Sequence, residues 1–258
     1  MWDTTQYLRF GDERSRPFFD LVTRIGADRP GYVVDMGCGP GNLTATLAER
    51  WPSATVVGVD SSPEMIEAAG LIATDHSPGL SFMRDDIRHW KPQSMPDVIV
   101  SNAVLQWVPE HLSLLADWAE WLAPGGWLAF GVPGNFDQPS HLILRELASS
   151  ARWHPLLRDV ELNRQTADPA DYVSLLAGAG CAVDAWETTY LHILTGENPV
   201  LEWYMGSGLR PALAVLDADA AADFLAEYGE RVRAAYPPHP YGTVLPFRRV
   251  FAVAHRPA

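Results

Sequence analysis

A doubly wound α/β fold on a mostly parallel, seven-stranded sheet is what this 258-residue chain predicts, on three observations. Its first half alternates short β-branched runs with stretches of helical periodicity, the pattern of parallel βαβ units. The glycine and proline of "LAPGG" (122–126) stop the last of those helices just before a fifth apolar run. Two further strand-like runs lie near the C-terminus with helical sequence between them, which suits an antiparallel edge on the same sheet.

The five early runs are 32–36 (YVVDM), 54–60 (ATVVGVD), 80–86 (LSFMRDD), 97–103 (DVIVSNA) and 127–133 (WLAFGVP). Between them "NLTATLAERW", "PEMIEAAGLI" and "HLSLLADWAEWL" carry apolar residues at helical spacing and are short enough for crossover helices. After Pro133, "PSHLILRELASSARW" reads as an amphipathic helix. "DPADYVSLLAGAGC" has Asp168 to cap a helix, Pro169 at its first position and Gly180 to close it. A strand (AVDAWETTYLHIL), two helices (ENPVLEWYMGSG and DADAAADFLAEYGERVRAAY), a loop at 236–242 and a last strand (RRVFAVAHR) complete the chain. The expected organisation is one domain over 1–258, with an N-terminal segment at 1–30, a core at 31–133, and a helical lid interleaved with late strands at 134–246.

Composition narrows the class. The formal net charge is −13, and Lys91 is the single lysine, so no basic run is present to hold nucleic acid or an anionic membrane surface. No apolar stretch reaches the ~18 residues of a membrane span, and the N-terminus is charged where a signal peptide would be apolar. The expectation is a soluble, cytoplasmic protein; nothing in the sequence indicates an oligomeric state. Cys38 and Cys181 are far apart and lack metal-ligand spacing, so no metal is expected.

The stretch "VVDMGCGPGN" places GxGxG between a strand and a helix. Glycines there permit positive φ and a close backbone approach to a ligand. The spacing differs from the GxGxxG of dinucleotide sites, and Asp35, ending the strand, suits an ammonium-bearing ligand better than a pyrophosphate. Asp60 ends the second strand, where a carboxylate can take both hydroxyls of a ribose or cap the next helix. Asp86 ends the third. In doubly wound sheets ligands sit at the carboxyl ends of the strands, where all three acids fall. The set fits adenosine with a small charged tail.

These stretches, with "SNAVLQW", resemble the motifs of class I S-adenosylmethionine-dependent methyltransferases, a Rossmann-like family. The resemblance extends through "YLRFGDERSRP", "SNAVLQWVPEH", "WETTYLHIL", "SGLRPAL" and "RVFAVAHR", over nearly the whole chain, to members that esterify small polycarboxylic acids. It implies S-adenosyl-L-methionine as cofactor, with Gly37, Gly39 and Gly41 beneath the methionine moiety and Asp35 toward its amino group. It further implies Asp60 on the ribose, Ser61 and Met65 beside the adenosine, Asp86 and Ile87 at the adenine, and Asn102 at the amino-acid part. The N-terminal segment would close over the cofactor, making Tyr7 and Arg14 or Arg16 candidates near its methionine end. The function implied is carboxyl O-methylation, with trans-aconitate as the leading acceptor.

A carboxylate nucleophile is ionised near neutral pH and needs no general base, so alignment and exclusion of water carry the reaction. No acid–base catalytic residue is therefore expected; Gln106 and Trp107, after the fourth strand, are candidates to line the methyl-transfer cavity. Trp107, Tyr190, His192, Arg210 and Arg249 are the candidate substrate residues. Tyr190 and His192 alternate along one strand face, and arginines suit the spare carboxylates. Each also has a purely structural reading: a surface ion pair, a helix cap or core packing. Asn135 and His141, in "PGNFDQPSH", could donate to substrate or simply stabilise a turn. Competing functions are methylation of another small or carrier-bound acid, a non-catalytic adenosine-binding module, and a nicotinamide-dependent oxidoreductase.

Overall fold

The computed structural model describes residues 11–75, 78–162 and 165–258. In chain order the elements are α1 (Gly11–Val22), β1 (Tyr32–Met36), α2 (Asn42–Arg50), β2 (Thr55–Asp60), α3 (Pro63–Asp75), β3 (Leu80–Arg84) and β4 (Val98–Asn102). A 3-10 turn (Leu105–Trp107) then leads to α4 (His111–Trp121), β5 (Trp127–Pro133), α5 (Pro139–Ala148), α6 (His154–Leu157), α7 (Pro169–Gly178) and β6 (Ala182–Leu194). The last elements are α8 (Pro199–Met205), α9 (Arg210–Leu213), α10 (Ala218–Ala235), β7 (Pro238–His239) and β8 (Gly242–His255).

The strands form one sheet in the order β3-β2-β1-β4-β5-β8-β6, with the two-residue β7 paired to β8. Strands β1 to β5 pair in parallel, and β8 runs antiparallel to β5. The order reverses at β1, since β2 and β3 lie to one side and β4 and β5 to the other. A crevice between β1 and β4 at their carboxyl ends follows from that reversal. The registers pair Asp35 with Gly58 and with Val100, and Asn102 with Gly131, so these residues share that end.

By internal contacts the chain divides into two compact units. The first comprises the chain to Pro133 together with Thr166–Glu187 and Arg249–Ala258; the second comprises Gly134–Gln165 and Thr188–Arg248. Helix α7 therefore belongs with the parallel core, although it falls inside the 134–246 stretch expected as a helical lid interleaved with late strands. In the first unit Val34, Ile99, Trp118, Leu128, Phe130 and Ala252 are among the fully buried core residues. Full burial of a large apolar side chain contributes roughly 1.5–3 kcal/mol. His111 starts α4 and is buried beneath it, with Nδ1 3.1 Å from the Val108 carbonyl and Nε2 3.1 Å from the Tyr172 hydroxyl. A carbonyl only accepts, so Nδ1 carries the proton and Tyr172 donates to Nε2. Burial pushes the His111 pKa down, in keeping with a neutral ring.

The end of α1 is tied to the end of α2. Arg50 donates to the carbonyls of Val22 (2.6 Å) and Ile25 (2.9 Å), and the Trp51 indole donates to Ala27 at 3.2 Å. Gly26 has no room for a side chain, because a Cβ there would stand 2.6 Å from the Trp127 ring.

In the second unit α8 and α10 approach closely at Gly229, where a Cβ would lie 3.0 Å from both Asn198 and Leu201. Arg152 pairs with Asp223 and Glu227 on α10, and Trp153 donates to Glu227 at 3.0 Å. The last strand is longer than the expected RRVFAVAHR, beginning at Gly242, and the 236–242 loop contains β7. Pro246 hides that extension from a propensity reading, but Thr243, Leu245 and Phe247 are buried in alternation, as a half-covered strand requires. Among the described residues no helix is long and apolar enough to cross a membrane, and no group of His, Cys, Asp and Glu is arranged to hold a metal ion.

Candidate cofactor and acceptor sites

The glycine loop connects β1 to α2. Gly37, Gly39 and Gly41 have φ of +80°, +55° and +83°, which is the left-handed region where a side chain is strained. A Cβ on Gly37 would stand 2.1 Å from Val104, and one on Gly41 2.6 Å from Phe82; around Gly39 nothing lies within 4 Å. The outer glycines thus serve the protein's own packing, and the middle one faces open space. Gly37 and Cys38 N–H both donate to the Val59 carbonyl, at 2.7 and 3.0 Å, which seats the loop on the end of β2.

Asp60 ends β2 and accepts the Gly39 N–H on Oδ2 and the Ser62 N–H on Oδ1, both at 2.9 Å. Each carboxylate oxygen keeps a further lone pair for a ligand donor. The N-terminal cap of α3 is Ser62, whose hydroxyl accepts the Met65 N–H at 3.3 Å, so Asp60 organises the loop and leaves the capping to its neighbour. Ser61 is exposed and Met65 buried. Asp35 is buried and accepts from the Thr44 hydroxyl at 2.6 Å. Burial raises its carboxyl pKa to about 7; the Thr44 hydrogen bond opposes the rise and the Asp60 charge adds to it. A cation placed against Asp35 would reverse that rise.

The end of β4 is the most irregular part of this region. Ala103 adopts φ +59°, an uncommon conformation for a residue with a Cβ. The Gln106 amide donates from Nε2 to the Ala103 carbonyl at 2.6 Å, which fixes its orientation, because a carbonyl cannot donate back. Gln106 Oε1 and Asn102 Oδ1 are then buried acceptors with no partner in the protein. Trp107 closes the same turn, half-buried. Asp86 is held by Arg88, whose Nε lies 3.0 Å from both carboxylate oxygens; that pairing lowers its pKa to about 2. Ile87 lies in the core cluster. Arg16 is an exposed residue of α1; Tyr7 and the Arg14 side chain lie outside the described residues.

The expected acceptor residues divide between the two units. Arg249 belongs to the first, buried on β8 opposite Pro133. Tyr190, His192 and Arg210 belong to the second. Tyr190 and His192 do share a strand face and stack with centroids 6.2 Å apart, and His192 also stacks on Trp203 at 5.0 Å. Arg210 opens α9.

A methyltransferase-domain family matches residues 10–185. Similarity to individual relatives runs further. A trans-aconitate 2-methyltransferase of Streptomyces avermitilis is 53% identical over 100% of this chain and 97% of its own length. One from Rhodococcus jostii is 54% identical over 98% of this chain and 99% of its own. The chain belongs to the trans-aconitate 2-methyltransferase family. Among solved structures, Haemonchus contortus phosphoethanolamine N-methyltransferase 2 with S-adenosyl-L-methionine superposes with a TM-score of 0.56 at 15% identity, covering 93% of this chain and 52% of that one. A geranyl diphosphate methyltransferase, solved with its diphosphate and sinefungin, gives 0.52 at 17% identity, covering 94% and 78%. These two share the fold, and their unlike acceptors illustrate that the fold alone does not choose one.

S-adenosyl-L-methionine fits the residues present. The unpartnered groups at the end of β4 and the turn after it are acceptors, the strand-end groups of β1 and β2 are carboxylates, and of the three loop glycines only Gly39 leaves its face open. That set receives an ammonium and ribose hydroxyls, and would repel a pyrophosphate. Sequence reasoning missed Thr44 and Ser62, although a hydroxyl one turn into α2 and another just before Pro63 were both in view. It missed the constraint on Ala103 because nothing in the sequence marks an alanine for positive φ.

Proposed function

We propose that the chain transfers the methyl group of S-adenosyl-L-methionine to one carboxylate of trans-aconitate, forming the monomethyl ester. What supports this most is that the alignments to trans-aconitate 2-methyltransferases, at 53–54% identity, span 98–100% of the chain, past residue 185 where the match to the general methyltransferase domain stops. When bound, the cofactor supplies an electrophilic methyl group on sulfur.

The protein's own tasks are binding, orientation and exclusion of water. Asp35, Asn102 and Gln106 offer acceptors to the ammonium, Asp60 takes the ribose hydroxyls, and the Gly39 backbone allows close approach. Ser61, Met65, Asp86 and Ile87 border the adenosine in this reading, and Arg14 or Arg16 with Tyr7 covers its methionine end. For Asp86 this requires the carboxylate to serve Arg88 and the adenine amino group together, which its four lone-pair positions permit. Trp107 supplies an apolar wall. Arg210, Arg249, Tyr190 and His192 hold the carboxylates that are not esterified, through charge-assisted bonds. Removing water from the reacting carboxylate strengthens it as a nucleophile.

A labelled-methyl assay against trans-aconitate, cis-aconitate, citrate and isocitrate tests the proposal. A single ester formed preferentially from trans-aconitate is expected. Equal turnover of all four, or none, would overturn the acceptor assignment.

A further inference from the structure

Buried polar groups of the second unit meet at the start of α5. Ser140 Oγ lies 2.7 Å from the Tyr204 hydroxyl and 3.2 Å from that of Tyr236. The Ser140 N–H donates to the Tyr236 hydroxyl at 3.2 Å, and the Tyr228 hydroxyl donates to the Ser140 carbonyl at 3.2 Å. One amide atom of Asn135 is 3.0 Å from the Tyr204 hydroxyl; the other is buried and has no partner in the protein. Asn135 and Tyr204 are each 1% exposed, so solvent does not serve them.

Counting protons decides which way the amide faces. Ser140, Tyr204 and Tyr236 bring three hydroxyl protons to two hydroxyl–hydroxyl contacts. With the Asn135 nitrogen toward Tyr204, one hydroxyl proton is buried without an acceptor and so is the amide oxygen without a donor. With the amide turned by 180°, Tyr204 donates to the Asn135 oxygen, Ser140 to Tyr204, and Tyr236 to Ser140. Every hydroxyl proton is then placed. Amide nitrogen and oxygen are told apart by just such networks. Burial also pushes the Tyr204 phenol pKa up, which keeps it a donor. The group left over is the Asn135 NH₂, a buried donor fixed by a closed network.

We infer that Asn135 donates to a carboxylate of the acid acceptor and is a specificity-determining residue. A cationic residue follows Tyr204 closely in the chain. The Leu209 N–H bonds the Tyr204 carbonyl at 2.9 Å, and Gly208 packs on the Tyr204 ring, where a Cβ would sit 2.9 Å away. That tight turn leads directly into Arg210 at the start of α9. Tyr204, Gly208 and His141, whose ring stands edge-on to Tyr204 at 5.1 Å, form the surroundings of the amide's partner. The inference rests on the acceptor reading under Proposed function.

The test is a binding cycle on the enzyme loaded with S-adenosylhomocysteine. Calorimetry compares trans-aconitate with mesaconate, glutaconate and itaconate, each lacking a different carboxylate. Asn135→Leu removes the amide; Asn135→Asp keeps an acceptor for Tyr204, removes the donor, and serves if the leucine variant does not fold. For a charge-assisted bond the expected loss of trans-aconitate affinity is about 10- to 100-fold, with S-adenosylhomocysteine affinity within about twofold of wild type. The dicarboxylate lacking the partner carboxylate should lose less than about threefold. A uniform loss for all four acids, or no loss, would overturn the role and leave the amide to a buried water. If wild type binds none of the acids, the acceptor reading itself has failed.

Discussion

At the carboxyl end of β4 and the turn after it, in the first unit, the buried polar groups without a protein partner are acceptors, Asn102 Oδ1 and Gln106 Oε1, in the same unit as the strand-end carboxylates Asp35 and Asp60. In the second unit the proton count leaves a single amide donor at the edge of a hydroxyl network. In the proposed reading the first region receives the cofactor's ammonium and the second a carboxylate of the acceptor. Their construction differs as well: the first depends on backbone geometry at a glycine loop, while the second depends on side chains from well-separated parts of the chain. Cofactor recognition is therefore sensitive to φ at the glycine loop as well as to the strand-end acids, whereas acceptor recognition rests on side chains alone.

Several substitutions would break or sharpen that contrast. Gly37→Ala carries the largest effect, because positive φ and a Cβ 2.1 Å from Val104 act together. Left-handed strain of about 1–2 kcal/mol and overpacking of about 1–3 kcal/mol should lower the melting temperature and abolish cofactor binding. Gly39→Ala meets no neighbour, so it should keep most of the stability while still weakening S-adenosylhomocysteine in a titration. Similar melting points for the two variants would remove the distinction between packing and ligand-facing glycines.

Asp35→Asn comes next. Without ligand, the folded state holds a proton on Asp35 up to about pH 7, whereas the unfolded chain releases it near pH 4. Stability therefore falls as pH rises through that window, by up to about 4 kcal/mol. The asparagine variant should be flatter between pH 4 and 8 in denaturant titrations and more stable than wild type at pH 8. It should also bind cofactor less tightly, and wild-type affinity should climb as pH rises through 7. A wild-type stability profile rising over that window would contradict the assignment.

In the second unit Ser140→Ala removes the link between Tyr204 and Tyr236, at a cost of about 1–3 kcal/mol measured by chemical denaturation. Cofactor affinity should not change. Tyr172→Phe in the first unit should cost about 1–2 kcal/mol by leaving the His111 Nε2 without its donor. Because burial lowers the His111 pKa, its contribution is intact above about pH 6.5 and is lost as pH falls below that value. A phenylalanine variant with the wild-type acid limb would separate His111 from the acid loss.

The glycine loop, the strand-end acids and most of the sheet were legible because each is fixed by covalent spacing to the end of an apolar run. The pairing of Asp86 with Arg88 has no signature of its own in "RDDIRHW", although the two lie only two residues apart. Arg249 falling in a different unit from Tyr190, His192 and Arg210 was invisible, because the chain returns to the first unit at Thr166 and again at Arg249. The hydroxyl network was equally hidden: Ser140 meets Tyr204 and Tyr236 across sequence separations of 64 and 96 residues. Serine and tyrosine carry no periodic signature that would connect them, so Asn135 reads from sequence as an ordinary turn residue.

Arg50 and Trp51 hold the carbonyls of Val22, Ile25 and Ala27. Among the described residues, the end of α1 therefore lacks these anchors until α2 has been made. Trp127, which closes against Gly26, is later still. The end of α1 is made before each of these groups that seat it, so a nascent chain carries it undocked until they have emerged.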